Sequence, residues 1–349
     1  MGVLSRRSMA GLPIAVVDDE RFDGHRSMEP HPERPERLVA ARAGLKRAVA
    51  AEQWARVAAR PVSDEEVLRV HSESYLRQLR DALGAGWGHI DADTFFCPET
   101  EEAAWLAAGG AVELCRAVVE GPARRGLALL RPPGHHACAS RAMGFCLLNN
   151  IAIAAADALA QGLSRVAIVD WDVHHGNGTQ DIFYDDARVL FISLHQSPLY
   201  PGTGRVEERG AHGAEGYTVN VPMPPGSGPN AYGAAFREVV LPVLGSFDAE
   251  LVLVSSGFDG HRRDPLAQLE LDAECFGAMT SALVRHVEEA GHGRLALFLE
   301  GGYDLEAIEE SVCAMATALL GEPYELAEGP LSAAEAQSLG RAKAHPGAS

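Results

Sequence analysis

The residues best placed to do chemistry in this 349-residue chain lie in the run Asp170-Trp171-Asp172-Val173-His174-His175-Gly176-Asn177-Gly178. It follows the apolar stretch Val166–Val169, which reads as a buried strand. Side chains on an extended chain alternate faces, so Asp170, Asp172 and His174 point the same way. Such a face is half of a metal site. Asp172 and His174 are candidate ligands. Asp259, in the turn Ser256-Gly257-Phe258-Asp259-Gly260, could complete them. Read singly, each aspartate also suits the cap of a turn or helix, and His174 a histidine satisfied by backbone. Three protein ligands with positions left for water and substrate describe a catalytic zinc, and a carboxylate-rich set also suits Fe(II), Co(II) or Mn(II).

The acid–base candidates are His135 and His136, adjacent after Arg131-Pro132-Pro133-Gly134. An imidazole titrates near neutral pH and can move a proton in both directions. A carboxylate behind a histidine fixes its tautomer and orientation, which is the role expected of Asp170. Asn177 could do the same for the second histidine as a neutral acceptor, or simply serve the Gly176-Asn177-Gly178 turn. Tyr303 follows two glycines and could donate to a developing oxyanion; otherwise it packs. Phe145, after Gly144, and Tyr200, before Pro201-Gly202, could line a narrow apolar channel or belong to the core.

These segments need elements to hold them. Apolar runs at Ile14–Val17, Leu127–Leu130, Val166–Val169, Val189–Leu194, Leu251–Val254 and Leu295–Leu299 read as buried strands. Helical patterns span 35–50, 101–119, 150–161, 231–244 and 275–290. Strands alternating with amphipathic helices imply one parallel α/β sheet covered on both faces. The chemistry-bearing segments each follow a strand, and open parallel sheets bind ligands beyond the carboxyl ends of their strands. The glycine-rich segment 198–216 is long for a loop and is therefore expected to be functional. No internal repeat or mid-chain linker is seen. One domain is expected over 1–330, with 331–349 as a tail that is either a loose helix or partly disordered.

Composition narrows the function. Lys+Arg 30 against Asp+Glu 48 gives a formal net charge of −18, which argues against a nucleic-acid partner. The charge suits a cationic substrate or simply an acidic cytosolic protein. Six cysteines without a CxxC pair read as reduced thiols in the cytoplasm, so a metal would be held by His and carboxylates. No stretch nears the ~18 apolar residues of a membrane span, and the N-terminal residues do not read as a secretory signal.

The motifs in chain order resemble the zinc-dependent histone deacetylases. They are His31-Pro32-Glu33-Arg34-Pro35-Glu36-Arg37, Arg131 to Ala137, Gly144 to Asn150, Asp170 to Gln180, Ser193 to His195, Tyr200 to Gly204, Ser256 to Asp259 and Leu299 to Tyr303. The Asp-Trp-Asp-Val-His-His-Gly-Asn form is similar to the class II branch, with its bacterial deacetylase-like and acetylpolyamine amidohydrolases. The resemblance implies the arginase-deacetylase fold, an eight-stranded, mostly parallel sheet in a three-layer α/β/α sandwich. It implies zinc on Asp172, His174 and Asp259, His136 as general base and then acid, His135 as an electrostatic partner paired with Asp170, and Tyr303 polarising the acyl oxygen. It also implies structural K+, an inner ion at Asp170, Asp172, His174, Ser193 and Leu194, and an outer one at Phe183, Asp186, Val189 and Tyr217.

The expected reaction is hydrolysis of an N-acetyl amide on a lysine-like side chain or another primary amine, with acetylpolyamines as the alternative substrate. A metal-binding protein without turnover and a two-metal guanidino hydrolase are weaker alternatives. A homo-oligomer is compatible with all of these. Three departures matter. Asn177 stands where class I enzymes carry Asp, so His136 should be less basic than theirs. Leu266 stands where a polyamine-preferring relative carries a glutamate. Phe96 falls about where class I enzymes carry an acidic residue that clamps peptides, which puts that clamp in question.

Overall fold

The computed structural model describes residues 13–344. Ten strands form: β1 (Ile14–Val17), β2 (Trp54–Val57), β3 (Gly88–His89), β4 (Phe95–Phe96), β5 (Arg125–Ala128), β6 (Val166–Asp170), β7 (Val189–Gln196), β8 (Thr218–Met223), β9 (Leu251–Ser256) and β10 (Leu295–Leu299). Eight of them make one sheet in the order β2-β1-β5-β10-β9-β6-β7-β8, with every pair parallel. Strands β3 and β4 form a small antiparallel hairpin.

Parallel strands need crossover connections, and helices supply them. Helix Thr100–Glu120 packs on helix Asn150–Ala160, while helix Leu305–Leu319 packs on both Glu36–Ala48 and Ala273–Glu289. Both groups reach β5, so the sheet lies between two helical layers, as the resemblance implies. Covered on both faces, β5, β6, β7, β9 and β10 are buried at every residue. Four of the segments marked for chemistry follow β5, β10, β9 and β6. These are four consecutive strands at the sheet centre, and their carboxyl ends open side by side.

Several boundaries differ from expectation. The strand placed at Leu127–Leu130 runs from Arg125 to Ala128. Arg125 is tolerated in a buried strand because its Nη1 donates to the Leu319 carbonyl at 2.9 Å and its Nη2 pairs with Glu288. The helix expected over 231–244 is Pro229–Ala235, a π-helical turn Phe236–Val240 and then Leu241–Phe247. Pro242 lacks the N–H that would continue the helix, and the wider turn carries the chain past it.

Of the two forms expected for the tail, a loose helix or partial disorder, the described part is helical. Residues Ala333–Ala344 form a helix on β8, with Leu339 and Ala342 buried and Lys343 Nζ 2.7 Å from Glu238. Leu339 and Ala342 lie one turn apart and give an otherwise small-residue segment a face to bury. Residues 1–12 of the expected domain and 345–349 of the expected tail lie outside the described residues. Among the described residues no helix is long and apolar enough to cross a membrane, and the six cysteines are free thiols.

Candidate active site

Asp172 and His174 leave the end of β6 while Asp259 leaves the end of β9, and β6 and β9 are neighbours. One ligand atom from each of the three lies within 4.8 Å of the other two. His174 Nδ1 is 3.0 Å from Asp259 Oδ2 and 3.3 Å from Asp172 Oδ1. Backbone donors hold the carboxylates: Gly301 N–H to Asp172 Oδ2 at 2.7 Å and Val173 N–H to Asp259 Oδ1 at 2.9 Å. Glycines make the room. A Cβ on Gly257 would sit 2.0 Å from Asp172 Oδ2, and one on Gly301 would sit 2.1 Å from Asp259 Oδ2. Two buried carboxylates and one imidazole, gathered in a cradle that any larger residue would fill, suit a divalent cation.

The two histidines of the β5 turn have different partners. His135 Nδ1 is 3.0 Å from Asp170 Oδ2, and His136 Nδ1 is 2.7 Å from Asn177 Oδ1. Burial disfavours both imidazolium ions. At His135 the facing carboxylates of Asp172 and Asp170 outweigh burial and hold its pKa well above the ordinary value. At His136, burial and the neighbouring His135 and His174 hold the pKa well below it. The rings lie 4.0 Å apart between centroids. The two adjacent imidazoles are thus shifted in opposite directions. Gly144, at φ +57°, lies against His136, where a Cβ would come within 2.5 Å of the ring.

Tyr303 stands on the segment that follows β10. Its N–H donates to Asp264 Oδ2 at 2.6 Å, and Asp264 Oδ1 accepts from Leu266 N–H at 3.0 Å. Arg37 crosses beneath the loop. Its Nε donates to the Gly302 carbonyl at 2.5 Å, its Nη2 to the Glu300 carbonyl, and its Nη1 to Glu33 at 3.1 Å. Glu33 also binds Arg131, which opens the histidine turn. This buried carboxylate ties the two segments together.

Above these groups lies a cavity of about 240 Å³. Its lining includes His135, His136, His174, Gly144, Phe145, Leu199, Tyr200, Leu266 and Tyr303, so the expected channel residues converge with one exception. Phe96 does not line the cavity. It sits in β4, buried against Gly88 of the paired strand β3. The turn between β3 and β4 instead brings Asp93 into the lining. Phe96 as a channel residue is therefore corrected, and a carboxylate three positions earlier stands in the wall. Phe145 adopts φ +68°, uncommon for a bulky residue, with its N–H donating to Thr94 Oγ1 at 3.1 Å.

The segment 198–216 has no helix or strand, yet it is pinned. Thr203 Oγ1 lies 2.7 Å from His175 Nδ1, and the Gly204 carbonyl lies 3.0 Å from His195 Nε2. The positions expected for inner K+ are brought together by strand register, with Ser193 of β7 opposite Asp170 of β6. Those expected for outer K+ gather where Asn177–Phe183 ends and β7 begins. Asp186 N–H bonds the Phe183 carbonyl, Val189 N–H bonds the Asp186 carbonyl, and Phe191 N–H bonds the Tyr217 carbonyl.

Known proteins bear directly on this arrangement. A family model, the histone deacetylase domain, matches residues 31–319. The chain belongs to the histone deacetylase family. It is 44% identical to a probable deacetylase of Archaeoglobus fulgidus over 297 residues, covering 84% of this chain and 82% of that one. It is 42% identical to the human polyamine deacetylase HDAC10 over 314 residues, 86% of this chain but 46% of the relative. It is 44% identical over 245 residues to the histone deacetylase-like amidohydrolase of Pseudomonas aeruginosa, with 70% and 64% covered. The solved HDA15 HD domain matches with a TM-score of 0.86 and 39% identity over 94% of each chain.

Sequence reasoning about this histone deacetylase family chain missed Asp93, Asp264 and Glu300. Glu300 follows a buried strand directly, the same signal that drew attention to Asp170.

Proposed function

We propose that the chain is a zinc-dependent amidohydrolase that removes the acetyl group from a lysine-like side chain or another slender primary amine. The carrying observation is the asymmetric pair His135–Asp170 and His136–Asn177, set beside the Asp172, His174 and Asp259 cluster under a narrow cavity. Asp172, His174 and Asp259 would hold zinc, which when bound polarises an acyl carbonyl and makes water a better nucleophile.

The chain's own groups do the rest. With Nδ1–H donated to Asn177, His136 has its Nε2 lone pair free and takes the water proton there. The same nitrogen then returns a proton to the departing amine. His135, cationic beside Asp170, stabilises negative charge developing on the acyl oxygen, and the Tyr303 hydroxyl donates to that oxygen. Phe145 and Tyr200 flank the alkyl arm. Structural K+ would sit at Asp170, Asp172, His174, Ser193 and Leu194 and at Phe183, Asp186, Val189 and Tyr217, mostly on backbone carbonyls.

Acetylpolyamines are the second reading, favoured by Asp93 in the cavity lining, because a carboxylate there attracts a cationic tail. Leu266 in the same lining opposes it. Comparing kcat/KM on an acetyl-lysine peptide and on acetylputrescine decides the order. Preference for the peptide supports the first reading, and a large preference for acetylputrescine replaces it with the second.

A further inference from the structure

We propose that Glu300 is a positioning residue whose side-chain oxygen holds the histidine turn in register with the Tyr303 segment. Strand pairing brings them together: β10 lies beside β5 with Phe298 opposite Ala128, so the segments leaving both strands emerge as neighbours. The Glu300 side chain is buried. One oxygen, Oε2, accepts from both Gly134 N–H at 2.7 Å and His135 N–H at 3.2 Å. The other, Oε1, has no hydrogen-bond partner among the described residues.

The grip is two-sided. The His135 carbonyl accepts from Gly178 N–H at 3.1 Å and Thr179 N–H at 3.2 Å, in the first turn of the helix that carries Asn177. The His135 peptide is thus held at its N–H by Glu300 and at its carbonyl by that helix. This places His136 Nδ1 on Asn177. Glu300 is itself fixed, since its N–H donates to the Ser256 carbonyl at 3.2 Å and its carbonyl accepts from Arg37. The next residue, Gly301, donates its N–H to Asp172. One short segment therefore contacts the histidine turn and the ligand cluster and carries Tyr303. A buried carboxylate oxygen without a partner costs stability, so a residue serving only packing would do better as an apolar side chain.

The hydrogen-bond geometry sets the test. Both N–H groups share Oε2, so in Glu300→Gln the amide oxygen can take both, with the NH2 placed where Oε1 lies. Glu300→Met fills similar space without an acceptor. Activity readouts rest on the proposed hydrolysis, whereas amide hydrogen exchange of Gly134 and His135 does not.

With zinc content and melting temperature measured alongside, Glu300→Gln should keep kcat within about 3-fold. Glu300→Met should lower kcat by ~10–100-fold with little change in KM, the usual loss for a group supporting catalytic ligands. Exchange at Gly134 and His135 should quicken about tenfold or more in the Met variant only, because each amide loses its acceptor. Wild-type kcat and wild-type exchange in Glu300→Met would overturn the proposal, as would a Gln variant impaired as severely as the Met one. If the wild-type protein hydrolyses no acyl amide, the proposed function fails, yet the exchange contrast still decides the role of Glu300. Should Glu300→Met not fold, Glu300→Asp, which withdraws the acceptor by one methylene, carries the same comparison.

Discussion

His136 Nδ1 lies 2.7 Å from the amide oxygen of Asn177, and nothing at that nitrogen is charged. The hydrogen bond fixes the neutral tautomer with its proton on Nδ1, leaving Nε2 free toward the cavity. Asn177 is held in turn by its own amide group, 3.3 Å from Cys138 Sγ and 3.4 Å from Met143 Sδ.

Asn177→Asp would place a carboxylate against the Nδ1–H and raise the pKa of His136. The base acts in its neutral form, so the acid limb of the kcat/KM profile should move to higher pH. The shift should be about one unit or more, read from a pH series on one substrate. A superimposable profile would remove Asn177 from control of the base.

Tyr303→Phe removes only the hydroxyl, because the loop is held by backbone bonds to Asp264 and Arg37. The loss should fall on kcat, by ~10²–10³-fold, with KM nearly constant, as for other oxyanion donors. An unchanged kcat would take the phenol out of the mechanism.

Leu266 faces the cavity that Asp93 also lines. Leu266→Glu should shift the kcat/KM ratio of acetylputrescine to acetyl-lysine peptide toward the polyamine by about tenfold, from one added charge contact. A ratio that does not move means that neither wall sees the substrate's distal amine.

Outside the site, His71 links the end of an early helix to the active-site framework. Its Nδ1 donates to the Cys138 carbonyl at 3.0 Å and its Nε2 accepts from Asn149 N–H at 2.9 Å, so the ring must stay neutral. Burial pushes its pKa from 6.5 down to about 4. The unfolded chain therefore binds a proton below pH 6.5 that the folded chain refuses, and stability falls as pH drops from about 6.5 toward 4. The full window is worth about 3 kcal/mol. Denaturant melts across that range should be flatter for His71→Gln than for wild type.

The elements most legible in the sequence are those buried on both faces. Each of β6, β7, β9 and β10 has an apolar run because no residue of these strands meets water, whereas β5 opens on Arg125 and was placed two residues late. Of the eight-stranded sheet, the strands missed by pattern are its two edges, and the short hairpin strands β3 and β4 were missed as well. Strand β2 is only partly buried, and β8 carries Asn220 and Pro222. The tail helix was legible only as one of two alternatives because its buried face rests on little more than Leu339 and Ala342.

At the site, residues adjacent in sequence to a strand end were readable from type and spacing. Bonds made to the backbone were not: Glu300 stands at a readable position directly after a strand, but neither its peptide N–H partners nor those of Asp264 leave a trace in side-chain pattern. Phe96 was misplaced because a hairpin turn, rather than a strand register, decides which residue reaches the cavity.

The most direct test measures turnover and metal together. Protein stripped with a chelator should lose hydrolysis of an acetyl-lysine peptide and regain it with one zinc per chain. Asp259→Asn should lower zinc affinity and turnover in parallel. Turnover that survives metal removal, or full activity and zinc binding in Asp259→Asn, would contradict a metal site built from Asp172, His174 and Asp259.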